Sequence, residues 1–194
     1  YPDGLDSWSA VFDDAATNSG KVTAYDSPIY IADAAVYLMA TKPELGIENP
    51  YALDETQLAA AVDLLKAQRQ HIGEYWSDYL KEIQAFETGD SVVGTTWQVI
   101  QNSITTGNTE VVLPKEGTTG WSDTWMIGSK AAHPNCAYAW LDWIASPEVN
   151  AQATGYFGEA PSSQEACNFR EDCEAYHAGD ADYASQIWYW STPI

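Results

Sequence analysis

The stretch "KVTAYDSPIYIADAAVYLMA", residues 21–40, narrows the fold more than any other part of the sequence. "KVTAY" (21–25) reads as a strand entering the core, stopped by Asp26-Ser27-Pro28. Ser27 is a favourable residue to cap a helix N-terminus, and Pro28 suits the first helical position. The helix then runs through "IYIADAAVYLMA" and ends before Pro43. The sequence therefore predicts a strand, a tight turn and a helix in direct succession.

The same order returns further along. A short helix is expected from Ser7. "LDETQLAAAVDLLKAQRQHI" reads as a second long helix, with Asp54 and Gln57 in capping-box spacing and Leu58, Ala61, Val62, Leu65 and Ile72 on one core-facing side. "EYWSDYLKEIQAFETGD" predicts a third helix ending at Gly89, "SVVGTT" (91–96) a strand, and "WQVIQNSIT" a helix from Trp97. "TEVVLP" and residues 123–128 read as two more strands. "NCAYAWLDWIAS" reads as a helix, another starts at Ser146-Pro147-Glu148, and "DADYASQIWYW" reads as the last one. Strands alternating with helices specify an α/β fold with an open sheet flanked by helices.

Composition limits what such a fold meets. The chain has 194 residues, 45% of them hydrophobic, which is enough for a genuine core. Its 28 acidic residues against 8 basic ones leave a net charge of −20. That charge repels nucleic-acid phosphates and anionic membrane surfaces and attracts cations. No apolar run approaches the ~20 residues of a membrane span. The chain opens on Tyr1 rather than Met, which reads as a processed protein or a fragment. Cys167 and Cys173 bracket the short polar loop "NFRED". A disulfide there suits an oxidising compartment, with two free thiols as the alternative. Cys136 reads as a small buried hydrophobe at the start of a helix.

In open α/β sheets, ligands bind outside the carboxyl ends of the strands. The first predicted strand ends at Tyr25-Asp26-Ser27 and the next at Thr95-Thr96-Trp97. "GTTGWSDTWMIGS" places Trp121 and Asp123 at the mouth of a predicted strand. On residue type alone, Trp121 reads equally as packing and Asp123 equally as a turn residue. Trp125, Trp140 and Trp143 are assigned to packing. No nucleophile elbow, P-loop, dinucleotide glycine motif or zinc-protease motif is present, and His71, His133 and His177 are scattered. The sequence thus predicts neither an enzyme nor a cofactor. Rings beside carboxylates suit reversible capture of an amine, since rings cover methylenes and acids receive ammonium heads. The alternative is a carbohydrate-binding or glycoside-processing protein using the same residue types.

Two segments carry a family resemblance: "YLKEIQAFETGDSVVGTTWQVIQN" and "VVLPKEGTTGWSDTWMIGSKAAHPNCAYAWLDWIASPEVNAQATGYFGEAPSS". Their succession of a Trp opening a helix, "PKEG", W-x-D, "AWLDWI" and "SPEV" resembles the extracellular solute-binding proteins of ABC importers, of the spermidine/putrescine-binding type. The resemblance implies a type II periplasmic-binding-protein-like fold of two α/β lobes with the solute in the cleft between them. This chain would supply only part of that protein: residues 1–118 as the second lobe, 119–165 as the segment returning to the first lobe, and 166–194 as a C-terminal helix packing on the second. The resemblance gives Trp97 and Trp121 the role of ring walls and Asp123 that of the amine's counter-charge. Asp26 falls close to the family's acidic residues, Ser27 and Tyr30 take neighbouring ligand-facing places, and Glu159 stands where an aromatic residue is usual. It also implies ABC permease subunits as partners, a monomeric protein, and a place outside the cytoplasmic membrane, held there by a lipid anchor.

Overall fold

At the centre of a three-stranded parallel sheet lies β1 (Val22–Tyr25), flanked by β2 (Ile72–Trp76) and β3 (Val93–Gly94) in the order β2–β1–β3. Parallel strands need long return connections, and helices supply them here. They are α1 (Tyr30–Thr41) and α2 (Glu55–Gln68) between β1 and β2, and α3 (Tyr79–Thr88) between β2 and β3. A short α4 (Gln98–Asn102) follows β3. Val22 faces Ile72 on one side and Val93 on the other, and Thr23 pairs with Gly94, where any side chain would run into Thr23. Successive strands thus lie on opposite sides of β1, which makes its carboxyl end a topological switch point.

The computed structural model describes residues 4–191, which form two compact units. The first takes the chain up to Trp121 and again from Gln186; the second is Ser122–Ser185. In the first unit, Trp8, Val11, Phe12, Val22, Ala34 and Leu38 are among the residues of one buried apolar cluster. The Phe12 ring lies 5.9 Å from that of Tyr30 and 5.2 Å from that of Tyr37. Burying a side chain such as Leu38 contributes about 1.5–3 kcal/mol. The expected capping box of α2 is present: the Gln57 N–H donates to Asp54 Oδ1 at 2.8 Å, and the Asp54 N–H donates to Gln57 Oε1 at 3.0 Å. A second, two-stranded parallel sheet joins β4 (Thr118–Gly120) to β5 (Ile187–Tyr189), with Thr118 opposite Ile187 and Gly120 opposite Tyr189.

The second unit is built from α5 (Pro134–Ile144), α6 (Pro147–Phe157) and a short α7 (Ala181–Ala184). A disulfide joins Cys167 to Cys173.

Several predicted elements differ. The helix expected from 74 begins only at Tyr79, behind an Asp78 cap, because Ile72–Trp76 alternate in burial and pair with β1. Ser27 does not cap α1: it shapes the preceding turn, accepting from the Ile29 N–H at 3.4 Å, and α1 starts at Tyr30. On α2, Leu58 is exposed, while Ala61, Leu64 and Leu65 meet the core. Residues 109–114 and 123–128 form no strand, as the ladder position is taken by Thr118–Gly120, ahead of Trp121. The helix expected over the C-terminal segment is cut to Ala181–Ala184, since Ile187–Tyr189 extends to pair with β4 in the first unit. Cys136 is exposed rather than buried. Trp125, Trp140 and Trp143 are also exposed, at 55%, 46% and 52%, and pack chiefly on each other, with ring centroids 5.9 and 4.9 Å apart.

Candidate functional site

In the first unit, the carboxyl ends of the strands carry a continuous row of rings. Tyr25 ends β1 and Trp76 ends β2; they are register partners with ring centroids 4.6 Å apart. Trp97, just past β3, stands 5.4 Å from Tyr25 and 5.3 Å from Trp76, edge-on to both. Trp121 follows at 5.0 Å from Trp97, and Trp190 at 5.3 Å from Trp121. Trp76 is fully buried, and its Nε1–H donates to the Thr95 carbonyl at 3.1 Å. Thr95 Oγ1 in turn accepts from the Tyr25 N–H at 2.9 Å. Trp97, Trp121 and Trp190 are only half-buried, so the row runs from a locked base to rings that retain open surface. The indole Nε1 of Trp190 is buried and has no hydrogen-bond partner among the described residues.

Residues absent from the predicted site hold the outer end of this row. Trp121 and Trp190 directly follow β4 and β5, and the Trp190 N–H donates to the Gly120 carbonyl at 2.8 Å. Asp33 of α1, buried at 8% exposure, accepts at Oδ1 from Thr119 Oγ1 at 2.5 Å. Burial raises its carboxyl to about 7, against the Thr119 hydrogen bonds, which favour the charged form. The Tyr51 hydroxyl donates to the Trp188 carbonyl at 3.0 Å, and Trp8 Nε1–H donates to the Gly117 carbonyl at 2.8 Å. Glu116 receives the Ser7 hydroxyl at 2.5 Å and the Trp8 N–H at 3.2 Å. The one hint in the sequence is Asp33 itself, a carboxylate inside the apolar run "YIADAAVYLMA".

The remaining first-unit candidates divide. Asp26 is exposed at the end of β1, its N–H donating to the Trp76 carbonyl at 2.8 Å. Ser27 is half-buried in the turn. Tyr30 is not ligand-facing: it is 3% exposed, stacks on Phe12, and its hydroxyl accepts from Gln68 Nε2 at 2.8 Å. Burial pushes its phenol far above the ordinary range. Glu82 of α3 is completely buried, and burial raises its carboxyl to about 9, with the Thr96 side chain opposing the rise.

In the second unit, exposed Asp123 and half-buried Glu159 form an acid pair. Desolvation first, then the hydrogen bond with Asp123 and its negative charge, raise Glu159 to about 7. Rings with open faces, such as those of the first unit, suit reversible binding of an organic cation. Among the described residues, no cluster of His, Cys, Asp and Glu is arranged to hold a metal ion.

The family described as bacterial extracellular solute-binding protein matches residues 2–177. The chain is 30% identical over 76 residues to the putrescine/agmatine-binding protein of Pseudomonas aeruginosa, an alignment covering 38% of this chain and 21% of that protein. Its fold is similar to that of the spermidine/putrescine ABC transporter substrate-binding protein PotD from Streptococcus pneumoniae, solved with calcium and HEPES. That match has a TM-score of 0.70 at 18% identity and covers 100% of this chain and 58% of the solved one. The α/β fold is therefore that of periplasmic binding proteins, and the chain spans little more than half the length of the solved relative. The carbohydrate reading finds no support in either of these relatives.

Proposed function

Because the chain belongs to the bacterial extracellular solute-binding protein family, we propose that it is the solute-capturing part of an ABC importer and that its solute is a polyamine or related amine. The observation that carries this reading is the row Tyr25–Trp76–Trp97–Trp121–Trp190, anchored in the core and open at its outer rings. Such rings suit the methylenes of an aliphatic amine, and a cation over a tryptophan face contributes about 0.5–2 kcal/mol. Asp123 and Glu159, taken by themselves in the second unit, stay in the proposed set for the counter-charge that carboxyls give an ammonium head. Asp26 and Ser27, at the end of β1, stand beside the buried base of the row and belong to the proposed set. In this reading the first unit belongs to the family's second lobe. The protein binds without chemistry, delivers its solute to permease subunits outside the cytoplasmic membrane, and works there as a lipid-anchored monomer.

Calorimetric titration of the protein with putrescine, spermidine, agmatine and a set of oligosaccharides tests the proposal. Amines are expected to bind with quenching of tryptophan fluorescence, and Asp123→Asn to weaken them about tenfold, one lost charge-assisted contact being worth ~1.5 kcal/mol. Binding of an oligosaccharide with no response to any amine would overturn the amine assignment.

A further inference from the structure

Arg170 sits in the loop closed by Cys167–Cys173, among exposed neighbours, yet its side chain is only 7% exposed. All three guanidinium nitrogens are engaged. Nε and Nη2 donate to the two oxygens of Asp172 at 2.5 and 2.8 Å. Nη1 donates to Thr154 Oγ1 at 2.9 Å and to the Glu159 carbonyl at 2.8 Å. The guanidinium also lies 5.0 Å from the centroid of the Tyr176 ring. One buried fork thus ties the disulfide loop to the end of α6 and to the backbone of Glu159.

Glu159 is held on both sides. Its N–H donates to the Thr154 carbonyl at 2.9 Å, just after Gly158 turns the chain out of α6 at φ +74°. Its C=O is the group that Arg170 holds. Thr154 Oγ1 is itself fixed by donating to the Asn150 carbonyl at 2.7 Å. The positive charge of Arg170 goes to Asp172, whose carboxyl it keeps below the usual range. Arg170 thus holds the Glu159 backbone from which the side chain reaches toward Asp123.

We propose that Arg170 is a positioning residue that sets the Glu159 carboxyl against Asp123, and that the Cys167–Cys173 loop presents Arg170 for this task. Its use in solute capture rests on the amine reading above; the positioning itself does not. A disulfide loop placed only for stability has no need of a buried guanidinium reaching across to Thr154 and Glu159. Planar, bidentate geometry is what arginine supplies and lysine does not.

The test follows the Glu159 carboxyl by ¹³C NMR without ligand, its resonance assigned through Glu159→Gln, in the wild type, Arg170→Gln, Arg170→Lys and Cys167→Ser/Cys173→Ser. The Glu159 midpoint is expected to fall by about one pH unit or more in all three variants as the carboxyl leaves Asp123 for solvent. The Asp33 carboxyl of the first unit, followed in the same spectra, is expected to stay in place. Arg170→Lys keeps a cation and remains informative if Arg170→Gln fails to fold. A Glu159 midpoint unchanged in folded Arg170→Lys or Arg170→Gln would overturn the proposal. Titration with putrescine separates the two ideas. A moved Glu159 with no putrescine binding in the wild type sinks the amine reading and leaves the positioning intact. Putrescine bound by the wild type, with Glu159 unmoved in the Arg170 variants, does the reverse.

Discussion

Asp33 shows how one residue can serve a site it does not enter. Its carboxyl lies beneath Thr119, two residues before Trp121, and burial has raised it from 3.8 to about 7. The sign follows from linkage. Below 3.8 the folded and unfolded chains both hold the proton. Between 3.8 and about 7 the unfolded chain loses it first, so stability drains away as pH rises. Asp33→Asn keeps an oxygen for Thr119 and has nothing to titrate. Urea midpoints for both proteins across that window are expected to diverge in favour of the variant as pH rises; a constant difference would show that Asp33 is not buried as described. At this scale the sequence was readable where chemistry was exposed. Trp97 was picked out because strand ends mark ligand sites and Trp121 through the family resemblance, and the structure sets their rings 5.0 Å apart. Tyr30 was misread because a resemblance to relatives does not say which way a ring of this chain turns; it went inward to Phe12 and Gln68.

Elements were legible where the pattern was local. The α2 cap, β1 and the helices from Pro134 and Pro147 need only neighbouring residues to specify them. The elements that were missed depend on distant partners. β2 is a strand because β1 lies beside it, and β5 is a strand because β4 does. "SQIWYW" looks helical until that partner is supplied. Tyr51 secures the second pairing from outside by donating to the Trp188 carbonyl. Tyr51→Phe removes one hydrogen bond and is expected to cost about 1 kcal/mol. The loss should be local: amide exchange at Ile187–Tyr189 is expected to quicken while that of Val22–Tyr25 holds. Equal acceleration in both strands would mean that Tyr51 serves the core generally rather than β5.

On the scale of the whole molecule, the two units hold different features. The first holds the apolar cluster and the ring row; the second holds the acid pair and the disulfide. The disulfide closes a short loop, so its chain-entropy contribution is about 2 kcal/mol. Cys167→Ser/Cys173→Ser is expected to lower protection from exchange within Ser122–Ser185 and to leave Val22, Ala34 and Leu38 as before. Loss of protection in those three core residues would show that the units do not unfold separately. The whole-molecule plan was the least legible level. Trp140 and Trp143 were assigned to packing on residue type and Trp125 by its place beyond Trp121, and all three are exposed. Burial of a large ring depends on which surface the fold brings over it, and that is not written near the ring.

The β4–β5 pairing also sets an order of events during synthesis. Thr118–Gly120 has no ladder partner until Ile187–Tyr189 has been made, and all of Ser122–Ser185 must leave the ribosome in between. The three-stranded sheet is available much earlier, because its last strand ends at Gly94. A chain emerging N-terminus first can therefore assemble the sheet, with Tyr25, Trp76 and Trp97 in place, and still lack the seat for Trp121 and Trp190. Contacts that close such long stretches of chain form slowly. The outer rings of the row are seated only after Ile187–Tyr189 has been delivered, so a chain interrupted before that point carries a folded base without the seat for Trp121 and Trp190.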